Sequence, residues 1–530
     1  MMLYIKSVDM KSKNKFFVNF LLLSILPLGL FTSCSHGVPE SYVEASEQLS
    51  IYPDYQDVVI PVNIAPMNFM VLNENEGVCV VVKNQEGKEL LVEEGDGKVI
   101  FDESGWRKII SENEQLEFSV FAQKKTEWVR YKPFKMTVVK DSIDPYVTCR
   151  LIEPSYENIG NSGLFQFGLE DLSFRKLNGN AKYWGEANRE RSVYCMNCHT
   201  TQASNPNNSA YYYRTKGGGL IVTYNGQTKV VNAKVGDMKA GSVYQRWHPT
   251  LPLIVFSNNT VRQAFPTLDR KKIEAFDFRA DMLLYDVEKN SIEYVLRKKG
   301  QINTYPVWAS DGSKIYFCQT DSAVVRDDSL RTRMKYKLMS MDFYGMEKPD
   351  SLKWGAPKEV YAPEGMSVSK PRVSPCGRYI AMTLSRYGAY HYTNIDSDVI
   401  LYDLKEGKVV RSEHLNSPEA EGYVTWSSNG RWLMVGSRRE DGNYVRLYFS
   451  YFDEEGNAFK SFQLPHKDPE FDKMLLKVYN YPEFSKVDTK MDEKSVYDMI
   501  EKNETVTPEF IGEIQKDDEV DANTGASVIK

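Results

Sequence analysis

A fourfold internal repeat constrains the fold of this 530-residue chain more than any other feature. In each copy an anchor residue is followed seven positions later by an aliphatic residue that begins an apolar run. The four pairs are Trp247 with Ile254, Trp308 with Ile315, Val373 with Ile380, and Trp426 with Leu433. A second signature follows each run, namely Tyr285-Asp286, Met341-Asp342, Tyr402-Asp403 and Phe452-Asp453. Two signatures that recur in the same order predict a row of similar supersecondary units.

Each copy is predicted to consist of short strands. Tyr and Phe, which favour pleated sheets, number 33 and 25. The Asp of the second signature begins a tight turn. Its side chain can accept hydrogen bonds from the backbone of that turn. The distances between anchors are long for four strands, so we expect loop insertions near 262–279, 321–335 and 387–397.

These copies resemble the Trp-Ser-Pro-Asp-Gly repeats of TolB-like β-propellers over about residues 194–465. Ser310 and Ser428 stand where Pro is usual, and Val373 replaces one Trp. The resemblance implies a propeller over 189–465 with five to six blades, in which Trp247, Trp308 and Trp426 are structural anchors. The first blade is degenerate and begins near residues 194–199. Strands within 149–177 and after residue 452 are the candidates for closing the ring.

Short strands are also predicted before the repeat, at 68–72, 78–83, 116–122 and 134–139. Glycines that we interpret as turn residues lie between them, at Gly77, Gly87, Gly95, Gly97 and Gly105. This pattern predicts an immunoglobulin-like β-sandwich over 58–140, although the strands could also belong to one larger all-β unit. We interpret 34–57 as a tether and 141–188 as a linker, so the whole chain is expected to be all-β.

The first 33 residues are typical of a secretory signal. Lys11, Lys13 and Lys15 precede an apolar run over 16–30, and small residues then lead to Cys34. The run resembles the lipobox of bacterial lipoproteins, which implies that Cys34 carries the lipid. Plain signal-peptidase cleavage, with Cys34 an ordinary thiol, is the alternative. We therefore expect a membrane-anchored lipoprotein that faces the periplasm, with the outer membrane the favoured location.

The net charge of −6 offers no surplus of basic side chains for a phosphate backbone, so nucleic acid is not an expected partner. Residues 486–530 contain twelve acidic residues and six lysines, which leaves the rest of the chain nearly neutral. We therefore interpret 466–530 as an acidic, largely disordered tail.

Cys195-Met196-Asn197-Cys198-His199 has the spacing of a c-type haem attachment motif. In that motif the Cys195 and Cys198 thiols would bond the haem edge, and His199 would ligate the iron. Met238 and His248 are the candidates for a sixth ligand. A Cys195–Cys198 disulfide and a zinc site are the alternatives.

No nucleophile elbow, zinc-protease helix or phosphate loop is present in the sequence. Asp277, Asp281 and Asp396 could form a carboxylate pair in a propeller funnel, or simply lie in turns and loops. We therefore expect a non-enzymatic envelope lipoprotein whose propeller binds a protein or a small ligand. The alternative is an electron-transfer protein with covalent haem c at 195–199.

Overall fold

The computed structural model describes residues 37–154, 162–179, 196–213, 219–238, 240–264, 270–271, 273–322, 332–345, 354–410, 412–491, 494–495, 498–499, 502 and 504–514. Most of these residues lie in strands or in the turns between them, and helices are few and short. The predicted all-β class is confirmed.

Two sheets form the part of the chain before residue 140. Its elements are β1 (Val43–Glu44), β2 (Ile51–Tyr52), β3 (Val58–Pro61), β4 (Phe69–Val71), β5 (Gly77–Asn84), β6 (Glu89–Gly95), β7 (Lys98–Val99), α1 (Glu103–Glu112), β8 (Gln115–Lys124), β9 (Glu127–Arg130) and β10 (Phe134–Val139). The long strand β8 pairs with β5 on one side and with β9 and β10 on the other. Strands β2, β4 and β7 form the small second sheet. The four strands predicted here are present as β4, β5, β8 and β10.

Helix α1 was not predicted, because Gly105 was interpreted as a turn residue. The Asp102 side chain caps the helix by accepting a hydrogen bond from the Gly105 amide at 2.8 Å. Trp106, Ile109 and Ile110 lie on one helical face and are buried in the core that the two sheets share. The cap and this apolar face together favour a helix in spite of the glycine.

The remaining strands group into antiparallel units of four strands. They are β11 (Tyr146–Ile152), β12 (Gly163–Gly168), β13 (Phe174–Gly179), β14 (Met196–Gln202), β15 (Asn205–Tyr213), β16 (Gly219–Tyr224), β17 (Gln227–Asn232), β18 (Val243–Trp247), β19 (Leu253–Ala264), β20 (Glu274–Asp286), β21 (Ser291–Leu296), β22 (Gln301–Trp308), β23 (Lys314–Asp321), β24 (Lys337–Asp342), β25 (Lys358–Tyr361), β26 (Ser367–Val373), β27 (Tyr379–Ser385), β28 (Asp398–Asp403), β29 (Lys408–Val410), β30 (Glu421–Trp426), β31 (Trp432–Ser437), β32 (Arg446–Tyr451), β33 (Phe462–Gln463) and β34 (Val478–Ser485).

Unit A consists of β34 with β11, β12 and β13, and units B to F are β14–β17, β18–β21, β22–β25, β26–β29 and β30–β33. The single parallel pair Ala280–Ile302 joins units C and D into one continuous sheet. In each unit the first strand of this order is the inner strand. The inner strands contact one another in the sequence β14, β18, β22, β26, β30, β34 and back to β14, so they surround a common centre.

The anchor residues of the repeat lie at equivalent places in units C to F. Each anchor ends an inner strand, and its partner seven residues later is the residue directly opposite on the next strand. Trp308 and Trp426 are 4% and 7% exposed, so the two tryptophans are buried at matching positions. The seven-residue spacing is therefore the length of a tight connection between paired strands.

The second signature ends the third strand of units C, D and E, and it directly follows the third strand in unit F. In units C and E an Asp carboxylate oxygen accepts hydrogen bonds from two amides of the following turn, at 2.9 and 3.1 Å in both. Asp286 and Asp403 therefore begin turns in the way that the sequence predicted.

Strands β11, β12 and β13 lie inside 141–188, which was interpreted as a linker, and the inner strand β34 lies inside 466–530, which was interpreted as a tail. These two interpretations are corrected, whereas strands are present in both regions that were named as candidates for closing the ring. Strands β11 and β34 are each buried almost along their whole length. They pair with each other across more than 300 residues of chain, and no local pattern can reveal such a pairing.

The chain after β34 also contains ordered elements. Strand β35 (Thr505–Val506) adds in parallel to β17, and β36 (Glu509–Ile511) adds in parallel to β21. The short helix α2 (Phe471–Met474) precedes β34. The terminal strands cover two outer edges that would otherwise expose unpaired backbone groups. Residues 515–530 of the predicted tail lie outside the described residues.

The N-terminal sheets pack directly on units F and A. Their core is continuous with Trp432, Phe449 and Tyr479, which are all buried. The Asp144 carboxylate accepts hydrogen bonds from the amide and the hydroxyl of Ser428, both at 2.6 Å. The N-terminal sheets and the repeat thus share one interior.

Candidate functional site

The inner strands carry a recurring residue with left-handed backbone. The φ angles are 57° at Tyr244, 54° at Tyr305, 52° at Lys370, 51° at Tyr423 and 54° at Tyr481. Each of these residues lies at a β-bulge of its inner strand. A bulky residue rarely adopts this conformation, and such strain often accompanies a functional requirement. The same left-handed conformation recurs at equivalent positions of five inner strands. It therefore marks the region that these strands surround.

These residues line a cavity between the inner strands, together with a smaller one that adjoins it. We call the larger space the central cavity. Its aromatic residues are Tyr212, Tyr244, Tyr390, Tyr392, Tyr423 and Tyr481. Polar groups of Arg150, Asn259 and Asn480 also reach its wall. Aromatic walls with a few fixed polar groups are typical of small-molecule sites.

Lys370 lies among the tyrosines and is only 4% exposed. Its Nζ atom is 5.2 to 5.8 Å from the ring centres of four tyrosines, namely Tyr305, Tyr390, Tyr392 and Tyr423. It donates a hydrogen bond to the carbonyl oxygen of Ala389 at 3.0 Å. Aromatic faces attract a cation, so the cage stabilises the charged form of the amine.

Burial works against that charge and lowers the pKa of Lys370 to about 7, although Cys318 and Asp277 act in the opposite direction. No carboxylate among the described residues lies within 4 Å of Nζ. Asp277 lines the smaller cavity, where it accepts a hydrogen bond from Asn259 at 2.9 Å. Burial raises the pKa of Asp277 to about 6. The centre thus holds a cation with no anionic partner in direct contact.

A loop between β27 and β28 supplies two of the cavity tyrosines. It contains a 3-10 helix at His391–Thr393, which places Tyr390 and Tyr392 at the cavity wall. His391 is fully buried and braces the loop through Thr383 Oγ1 at 3.0 Å and the Gly388 carbonyl at 2.7 Å. Burial lowers the pKa of His391 to about 3, so this imidazole is neutral near pH 7.

The same loop packs closely on the inner strand of unit F. Gly422 precedes the left-handed Tyr423, and a Cβ atom at Gly422 would lie 3.0 Å from Cβ of Tyr392. The glycine therefore permits the close approach of Tyr392 to the strand, and the rings of Tyr392 and Tyr423 lie 4.7 Å apart.

A buried ion pair lies behind Tyr481 of the cavity wall. Arg246 Nη1 lies 3.1 Å from Glu483 Oε1, and both side chains are largely buried. The Arg246 guanidinium also lies 5.5 Å from the ring centre of Tyr481. This pair links the inner strands of units C and A.

The structure describes residues 196–199 of the haem motif. Cys195 lies outside the described residues. Cys198 lines the central cavity, whereas His199 is buried beside Tyr211, with its Nε2 atom donating to the Thr148 carbonyl at 3.3 Å. Both residues lie in strand β14, and His199 has its Nε2 occupied by the backbone. Burial lowers the pKa of His199. The haem therefore remains a prediction of the motif.

The two candidate sixth ligands have other roles. His248 Nδ1 accepts hydrogen bonds from the amides of Thr250 and Leu251 at 3.2 and 2.9 Å, which shapes the turn after Trp247. Burial lowers its pKa to about 4. Met238 packs in the core of units B and C with Trp247. Neither side chain contacts His199 in the part of the chain that is described.

The three candidate carboxylates have separate partners. Asp281 pairs with Arg279 at 2.9 Å, and Asp396 accepts hydrogen bonds from Ser385 and from the Arg386 amide. Only Asp277 lines one of the two central spaces. Among the described residues no group of three or more His, Cys, Asp or Glu side chains could hold a metal ion.

Cys34 lies outside the described residues, as does the whole predicted signal. In the ranges that the structure describes, no helix is both long enough and apolar enough to cross a membrane.

The sequence analysis missed the tyrosine and lysine site, although a signal was available. Tyr244, Tyr305, Lys370 and Tyr423 each lie three residues before an anchor of the repeat. An alignment extended by three positions would have shown an aromatic column with one lysine in it.

No protein-family model matches the chain, and no curated protein sequence matches it. Solved structures are similar in part. TolB from Acinetobacter baumannii has 12% identity and a TM-score of 0.39, over 69% of this chain and 78% of that one. A putative 6-phosphogluconolactonase from Bacteroides fragilis has 11% identity and a TM-score of 0.30, over 61% of this chain and 96% of that one. At these scores the description of the fold rests on the sheets themselves.

Proposed function

We propose that units A to F are the blades of a six-bladed β-propeller over about residues 146–485, preceded by a β-sandwich. The circular order of inner-strand contacts supports this count. The pairing of β34 with β11 supports closure, because one blade is then built from both ends of the repeat region. A closed ring of blades leaves only short and protected strand edges, which is the usual advantage of a propeller.

The propeller is proposed to be a non-enzymatic binding domain whose central cavity takes a small organic anion. The single observation behind this proposal is Lys370, a buried cation that is surrounded by tyrosines and has no carboxylate in direct contact. A ligand carboxylate near Nζ would supply the missing opposite charge. The tyrosine faces would contact the apolar body of the ligand.

Benzoate and its uncharged analogue benzyl alcohol are suitable probes. Calorimetric titration of the wild type is expected to show that benzoate binds at least tenfold more tightly than benzyl alcohol, and Lys370→Met should remove one such benzoate binding event. Lys337→Met is the matched control, because Lys337 is a partly exposed strand lysine that pairs with Glu359. Equal binding of the two probes by the wild type, or a Lys370→Met variant that loses no benzoate binding event, would contradict the proposal.

The envelope location is a proposal that rests on the sequence of residues 1–34. Cys34→Ala should release the mature chain into the soluble periplasmic fraction, because the acyl chains on that cysteine would be its membrane anchor. Continued sedimentation of the variant with membranes would contradict a lipid anchor at Cys34.

A redox function through haem c is the alternative, and it rests on the motif at 195–199 alone. A pyridine haemochrome spectrum of protein made with active cytochrome c maturation would detect the haem. Without a haem signal, the electron-transfer alternative would be abandoned.

A further inference from the structure

A separate cavity lies beside the loop that follows β27. It is lined by that loop, by Arg270 and Lys271, and by the turn from Arg438 to Gly442. We call it the Arg438 groove. Four of its lining residues are basic, namely Arg270, Lys271, Arg386 and Arg438.

Three of these four cations have acidic partners. The pairs are Arg270 with Glu419 at 2.7 Å, Lys271 with Glu274 at 2.6 Å, and Arg386 with Asp396 at 3.3 Å. These pairs leave Arg438 as the one cation lining the groove that has no acidic side chain in direct contact among the described residues. The Asp441 carboxylate acts on its charge from a longer distance.

Arg438 is only 3% exposed, yet its guanidinium makes no hydrogen bond and no ion pair with any described residue. Its Nε atom is completely buried. The Asp441 carboxylate on the same turn is engaged by the amides of Asn443 and Tyr444 at 2.7 and 2.8 Å. Burial lowers the pKa of Arg438, and the nearby Arg270 adds to that effect. An unpaired buried charge is costly, so this arrangement lacks a partner of opposite charge.

We propose that the Arg438 groove binds the carboxylate group of a small organic acid. A guanidinium offers two parallel N–H donors that match the two oxygens of a carboxylate. Tyr392 and Tyr423 lie near both Arg438 and Lys370, but the two cations line different cavities. The proposal therefore does not depend on a ligand at Lys370.

The test uses the full mature chain and 4-bromobenzoate, whose bromine can be located by anomalous X-ray scattering. Crystals of the wild type are soaked with this acid, and the same acid is titrated in solution by calorimetry. The variants are Arg438→Met, Lys370→Met and the control Arg107→Met, since Arg107 is an exposed helix residue paired with Glu103. Melting temperatures without ligand report whether each variant is folded.

We expect a bromine peak in the Arg438 groove, with the carboxylate on the guanidinium, in the wild type, Lys370→Met and Arg107→Met. Arg438→Met should lose this peak and the matching binding event, while its melting temperature without ligand stays the same or rises. A wild type with no density in the groove would overturn the proposal, and so would binding that survives in Arg438→Met. A peak at Lys370 reports separately on the central cavity, so failure of one site is distinguishable from failure of the other.

Discussion

At the scale of single residues, burial decides what each side chain of the centre can do. Lys370 and Arg438 are both almost fully buried, but the lysine has four tyrosine faces and a carbonyl oxygen around it. Trp308 and Trp426 are buried for a different reason, since they fill equivalent positions in units D and F. These two kinds of burial lead to separate predictions.

Trp308→Ala and Trp426→Ala should each lower the free energy of unfolding by about 3–5 kcal/mol, because each change empties a large buried site. Tyr344→Ala is the control, because Tyr344 is 54% exposed and should cost at most about 0.5 kcal/mol. Urea denaturation of the three variants measures the differences. A loss as small as that of the control would mean that the tryptophans are not anchors.

Lys370 should make stability depend on pH in one direction. Its ordinary pKa is 10.5 and its folded value is about 7, so between these values the unfolded chain binds a proton that the folded chain lacks. The free energy of unfolding should therefore rise with pH in this window, by at most about 1.4 kcal/mol per pH unit, and level off below about pH 7.

Comparison with Lys370→Met isolates this contribution from other titrating groups. Denaturation at about pH 7 and about pH 9 should show the wild type gaining up to about 2–3 kcal/mol relative to the variant. Parallel pH profiles of the two proteins would show that Lys370 has an ordinary pKa.

At the scale of elements, the chain after the last unit contributes to the fold. Strands β35 and β36 extend units B and C. Phe510 packs on Tyr294, with 5.6 Å between ring centres, and lies against Gly236. The Asp488 carboxylate bonds Gln166 and Arg175 of unit A.

Deleting 486–530 should therefore lower the melting temperature by several degrees, and Phe510→Ala should cost about 1–3 kcal/mol. Ile511→Ala is the matched control, because Ile511 is 49% exposed. Scanning calorimetry of the three variants measures these effects. An unchanged melting temperature after the deletion would support the disordered tail that the sequence predicted.

The sequence predicted those elements whose signals lie close together along the chain. The anchors of units C to F and strands β5, β8 and β10 were found because periodicity and turn residues lie within a few positions of one another. The regions of β11 and β34 were named only as candidates for closing the ring, because their pairing joins distant parts of the chain and has no local signal. The Lys370 cage was not predicted because three separate segments supply its four rings, and only the folded arrangement of the inner strands brings them together.

At the scale of the whole molecule, the N-terminal sheets and the repeat share a core. Trp432 donates a hydrogen bond to the Asp141 carbonyl at 3.0 Å, and Tyr451 donates one to the Asp141 carboxylate at 2.7 Å. Asp144 holds the turn at Ser428. A continuous apolar interior with satisfied polar contacts couples two parts that could otherwise unfold separately.

We therefore expect one cooperative thermal transition for residues 38–530, and Asp144→Ala should lower its midpoint without splitting it. Scanning calorimetry provides this test. Two resolved transitions, only one of which responds to Asp144→Ala, would mean that the sandwich and the propeller are independent.

The central claim is that Lys370 is a buried amine in a tyrosine cage, and that an anionic ligand pairs with this amine. Competitive acetylation with acetic anhydride across a pH series, read by mass spectrometry, measures the ionisation of Lys370 and of Lys337 in one sample. We expect Lys370 to be half-ionised near its folded pKa of about 7, well below Lys337, and benzoate to raise that midpoint. A Lys370 that titrates together with Lys337 and ignores benzoate would contradict the claim.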